Sequence, residues 1–100
     1  MALLIDGDNI SSELIEQLLI EAGKLGGVTI KLAYGNWTKP FVKKWHDAFP
    51  RYGITAVHLT QTANGKNATD IAMAIDAMDY DSLFEVRKRE NGHPEMRMIG

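Results

Sequence analysis

The chain has no cysteine among its 100 residues, which excludes disulfide bonding and thiolate chemistry. It has no apolar run approaching the roughly 18 residues of a membrane span. Its N-terminus has no basic stretch of the signal-peptide kind, and Asp6 interrupts the only apolar run there. These absences agree with a cytoplasmic protein. There is no excess of positive charge either. Thirteen acids against eleven bases give a net charge of -2 and a pI of about 5.8. Any contact with nucleic acid must therefore come from a local patch and not from the chain as a whole. At 45% hydrophobic and 24% charged, the composition is that of an ordinary globular chain, and the length allows one domain.

Several catalytic patterns are missing as well. Gly26-Gly27 and Gly65-Lys66 lack the spacing of a nucleotide-binding fingerprint. No serine sits in a nucleophile-elbow pattern. His46, His58 and His93 lie in unrelated segments and make no metal pattern. There is no internal repeat and no low-complexity segment.

What is present is an alternation of strand and helix signals. Ala2 to Ile5 read as a short strand buried on both faces, ending in Asp6-Gly7-Asp8-Asn9. Ser11 or Ser12 can cap a helix with Glu13 in its first turn and an apolar stripe of Leu14, Ile15, Leu18, Leu19 and Ala22. Gly26-Gly27 ends it. Val28 to Tyr34 form a second, β-branched strand, followed by a Gly35-Asn36-Trp37-Thr38 loop. A second helix begins near Thr38 or Lys39, tolerates Pro40 in its first turn, is buried along Phe41, Trp45 and Phe49, and stops at Pro50. Ile54 to Leu59 are a third strand. Asn67 opens a third helix with Asp70 in its first turn and Ile71, Ala72, Ile75 and Met78 facing the core. Three strands alternating with three helices predict an α/β fold with parallel strands joined by right-handed crossovers. Residues 80–100 are a charged C-terminal segment with two readings, a hairpin about Asn91-Gly92 or a disordered tail.

In open parallel sheets, ligands collect outside the carboxyl ends of the strands. Three polar segments converge there: Asp6 to Asn9, Tyr34 to Trp37, and Gly65 to Asp70. A hard divalent cation takes oxygen ligands and often uses only one or two carboxylates. Asp6 and Asp70 could hold such an ion against a phosphodiester, where it would activate a bound water. Plainer readings stand beside this one. Asp8 and Asn9 can make a turn and a cap, and Asp70 can complement a helix dipole. Asp76 and Asp79 can share a solvated face. Trp37 and Tyr34 can stack on bases or simply pack. Lys66 can contact phosphate or merely sit in a polar loop.

The order of Leu4-Ile5-Asp6-Gly7-Asp8-Asn9, Tyr34-Gly35-Asn36-Trp37 and Gly65-Lys66-Asn67-Ala68-Thr69-Asp70-Ile71-Ala72, with Asp76, closely resembles the NYN domains. These belong to the LabA-like branch of the PIN-like nuclease superfamily, and the resemblance covers residues 2 to about 79. It implies a three-layer α/β/α domain with a parallel PIN-like, Rossmannoid sheet that binds Mg²⁺ or Mn²⁺ and cleaves RNA. It assigns catalytic roles to Asp6, Asp70 and Asp76, the metal to Asp6 and Asp70, and site orientation to Asn9 and, less directly, Asp8. RNA contacts would fall to Asn36, Trp37, Lys66 and Asn67.

The family's fourth strand, which ends in a Ser-Asp-x-Asp-Phe-like stretch and completes the acidic pocket, has no counterpart in Met78-Asp79-Tyr80-Asp81-Ser82-Leu83-Phe84. The sheet is therefore expected to be incomplete at its C-terminal side. An incomplete pocket also admits a non-catalytic RNA-binding or protein-interaction module. In the family's sheet order, the first strand would then be left with an apolar open edge. The C-terminal segment, a second copy in a homodimer, or a partner chain would have to cover it.

Overall fold

Strand β1 (Ala2–Asp6) is buried at all five positions, because it has a strand on each side and a helical layer on each face. The structure, a computed structural model, describes residues 1–60 and 68–100 apart from the side chain of Phe41. Lys66 and Asn67 lie outside the described residues. After β1 come α1 (Ile15–Leu25), β2 (Ile30–Gly35), α2 (Lys43–Tyr52), β3 (Thr55–His58), α3 (Ala68–Ala77), β4 (Leu83–Lys88) and β5 (Pro94–Ile99). One sheet holds the five strands in the order β3-β2-β1-β4-β5. The first four run parallel, and β5 is antiparallel to β4.

The expected open edge of β1 is not there. Ala2, Leu3, Leu4 and Ile5 pair in parallel register with Leu83, Phe84, Glu85 and Val86. The C-terminal segment covers the edge, and β1 has no free side for a second copy or a partner chain. Of the two readings of this segment, the hairpin holds and the disordered tail does not, and the first strand of the hairpin is also a fourth parallel crossover strand. β4 is the crossover strand, and it turns through Gly92, at φ 87, into β5. Leu83, Phe84 and Val86 are buried, so this segment is part of the core.

Alternation along β1 separates two cores. Leu3 and Ile5 face α1 and α2, where they meet Ile15, Trp45, Phe84 and Val86. Ala2 and Leu4 face α3 and meet Tyr34, Met73 and Leu83. Right-handed crossovers demand this arrangement. The chain moves from β1 to β2 to β3 in one direction, then returns past β1 to β4, so α3 must lie on the opposite face from α1 and α2. The architecture is the expected three-layer α/β/α sandwich.

Two local expectations change. Pro50 lies inside α2, and the helix ends at Gly53, whose φ of 66 is left-handed. In the last turn, proline removes one hydrogen bond without stopping the chain, while glycine takes the left-handed cap at low cost. The buried side of α3 is Met73, flanked by Ala72 and Ala77. Ile71, Ile75 and Met78 point outward, 57%, 60% and 84% exposed. Small alanines let the helix lie close to the sheet, and that rotation carries the larger side chains away from it.

Candidate metal and RNA site

The direction of the chain reverses at β1, with β2 on one side and β4 on the other. A crevice opens at such a switch point beyond the carboxyl ends of the strands. Here it is a cleft of about 550 Å³ lined by Asp6, Asn9, Thr69, Asp70, Glu85, Arg87, Lys88, Arg89, Glu90 and Arg97. Asp6 is its buried member, 6% exposed. The even-numbered residues of β1 face α3, so the same alternation that buries Leu4 directs Asp6 into this cleft.

Asp6 Oδ2 accepts a 2.9 Å hydrogen bond from Asn9 Nδ2. The turn that brings Asn9 back is closed by the Asn9 and Ile10 amides, which donate to the Asp6 carbonyl at 3.2 and 3.0 Å. Asp6 Oδ1 is buried and has no hydrogen-bond partner among the described residues. Burial raises the Asp6 pKa above the usual carboxylate value. The Asn9 bond opposes the rise, the charges of Asp8 and Asp70 add to it, and Arg87 opposes it. Asp70, in the first turn of α3, reaches the cleft and binds Arg87 Nη1. Arg87 also donates from Nε to Glu85. Partial burial works against the Arg87 charge, but Glu85, Asp70 and Asp6 outweigh it and raise its pKa.

The other residues singled out in the sequence are placed apart from the cleft. Asp8 Oδ1 accepts from the Asn36 amide at 3.1 Å and ties the first loop to the second. Asn36 Oδ1 is taken by the amide and hydroxyl of Thr38, at 3.2 and 2.6 Å. Asp76 accepts a 2.6 Å bond from the Tyr34 hydroxyl, and it does not line the cleft. Burial and then this bond raise the Tyr34 pKa, keeping the phenol a donor. Trp37 packs: it is 7% exposed, its indole donates to the Val57 carbonyl at 3.1 Å, and its ring lies edge-on to Phe49 at 4.9 Å. No face of it is open to a base. A ring between α2 and the turn after β1 is worth more to the core than to a ligand, and Gly7 makes room for it: a Cβ there would run into the indole.

Glu85 and Arg87 are members of the cleft that sequence reasoning did not single out. The apolar alternation of Leu83, Phe84 and Val86 marks a strand, but only its pairing with β1 shows where the residues between them point.

Whether these side chains suit a divalent cation turns on Asp6. A buried carboxylate oxygen with no hydrogen-bond donor among the described residues is suited to a cation, and the carboxylates of Asp6 and Asp70 offer the oxygens a hard ion prefers. Asp6 and Asp70 thus fit an ion that keeps much of its water. They do not make a closed cage, since no group of three or more His, Cys, Asp or Glu able to hold a metal occurs among the described residues. Among those residues, too, no helix is long and apolar enough to cross a membrane.

No curated protein and no solved structure matches the chain. The family model of the NYN domain matches residues 1–82, ending one residue before β4. With more than half of its length matched, and with an α/β/α sandwich whose cleft lies at the switch point, the chain belongs to the NYN domain family of PIN-like nucleases.

Proposed function

We propose that the chain is a divalent-metal-dependent ribonuclease of the LabA-like branch, acting at the cleft between the ends of β1 and β4. The observation that carries this reading is the buried Oδ1 of Asp6 on the cleft wall, without a hydrogen-bond partner among the described residues, with Asp70 lining the same cleft. Asp6 and Asp70 would hold Mg²⁺ or Mn²⁺. Asn9 fixes the rotamer of Asp6 through its hydrogen bond. Asp8 acts at a distance, by holding the Asn36 loop against the turn that carries Asn9. When bound, the cation polarises a phosphoryl oxygen and lowers the pKa of a bound water. RNA would be positioned by phosphate contacts from the cations of the cleft, Lys88 first among them, since Arg89 and Arg97 pair with Glu95.

A second reading, RNA binding without cleavage, is favoured by the Arg87 contacts, which engage two of the cleft's carboxylates. Incubation of single-stranded RNA with Mg²⁺ or Mn²⁺ separates the two. Cleavage by the wild type that is lost in both Asp6→Asn and Asp70→Asn supports the nuclease. RNA retained intact, with affinity unaffected by either substitution, refutes it in favour of the binding module.

A further inference from the structure

Arg87 is placed by the sheet and not by a flexible loop. Leu4 pairs with Glu85 and Ile5 with Val86, so the next step along both strands sets Arg87 beside Asp6. Residues two apart on a strand share a face, so Glu85 and Arg87 both point toward α3, where Asp70 begins the helix. The guanidinium lies among carboxylates from three elements, bonded to Glu85 and Asp70 and close enough to Asp6 to affect its charge. Two other arginines of the cleft, Arg89 and Arg97, both pair with Glu95 on β5, at 2.5 and 3.9 Å. Arginine stays protonated in proteins and offers only donors. A divalent ion approaching Asp6 and Asp70 therefore meets a fixed positive charge already bonded to one of its ligands.

We propose that Arg87 is a resident counter-cation of this site, and that a divalent ion binds only by displacing its guanidinium from Asp70. This rests on the metal reading of Asp6 and Asp70 given above. Arg87 is then the residue that sets metal affinity, holding it below what the carboxylates alone would give. A doubly and a singly charged ion about 6 Å apart repel enough for roughly a tenfold change in binding even at the dielectric of water.

The test is Mn²⁺ binding to the full chain, measured by calorimetry for wild type, Arg87→Gln and Asp6→Asn. Arg87→Gln is expected to bind at least about tenfold more tightly than wild type, and Asp6→Asn to lose binding. Equal affinities for wild type and Arg87→Gln overturn the proposal and leave the metal site standing. Absence of binding in all three overturns both. Should Arg87→Gln fail to fold, the wild type decides the matter through the Arg87 Nη–H signal, which belongs to the group bonded to Asp70. Mg²⁺ at saturation is expected to shift and broaden that signal, and a signal that stays put overturns the displacement.

Discussion

Replacing Asp6 by Asn should stabilise the metal-free protein, even though it removes the residue placed at the centre of the site. The carboxylate is 6% exposed, and one of its oxygens has no partner among the described residues. An Asn at this position keeps an oxygen to accept from Asn9 but no longer buries a charge. The Asn NH2 then takes the place of the unpartnered oxygen and gains nothing there, so the gain comes only from no longer burying a charge, roughly 1 kcal/mol near neutral pH. The sign of the pH dependence follows from the raised pKa. The folded state holds the Asp6 proton more tightly than the unfolded state does. The stabilisation from that proton is complete below the unfolded value of 3.8 and is lost as pH rises through the folded one. The advantage of Asp6→Asn should therefore be small near about pH 4 and emerge toward about pH 7. Urea unfolding in EDTA, followed by tryptophan fluorescence, reads this as a midpoint about 1 M higher for the variant. Mg²⁺ at about 100 times its Kd should then add about 2.7 kcal/mol to the wild type and nothing to the variant, reversing their order. A variant less stable than wild type in EDTA at neutral pH would refute the reasoning.

Gly7→Ala should cost about 1–3 kcal/mol through collision with the Trp37 indole; an unchanged urea midpoint would show that the ring moves aside freely. Tyr34→Phe removes the hydroxyl bonded to Asp76 and is expected to cost roughly 1 kcal/mol, and a double-mutant cycle with Asp76→Ala should show the two residues to be coupled. A chain ended at residue 82 lacks β4 and uncovers one edge of β1. It should aggregate or fail to fold, and a soluble monomer with native circular dichroism would contradict the central place given to β4.

Much of the α/β/α alternation is legible in the sequence because its signals are local. Periodicity marks α1, β-branched residues mark β2, and the acids after Ile5 mark the end of β1. Asp6, Asn9 and Asp70 were recognisable for the same reason, as polar residues at strand and helix ends. Non-local decisions were not legible. Phe84 and Val86 alternate as they would in any half-buried strand, so nothing in residues 83–88 tells parallel pairing with β1 from an isolated hairpin. The place of Arg87 follows from that pairing and was hidden with it. Trp37 and α3 illustrate a different limit. A tryptophan beside polar loop residues reads equally as a stacking platform or as core, and the space left by Gly7 decides it. The apolar residues of α3 suggest one buried face, of which Ala72 is packed on the core, while Met73 and Ala77 in place of Ile71, Ile75 and Met78 supply the rest.

The order of the strands also bears on how the chain comes to be folded. β1 is made first, yet it sits at the middle of the sheet and is completed on one side by residues about eighty positions later. Such distant pairing makes for slow folding, since the intervening chain must be ordered first. While the polypeptide is being synthesised, β1, α1 and β2 can assemble, but Ala2 to Ile5 keep one bare edge until residues 83–88 emerge. Asp6 spends that interval next to solvent and without Arg87. The insertion of one strand thus ends the chain's exposure to strand-edge aggregation and sets the charge of its cleft in the same event.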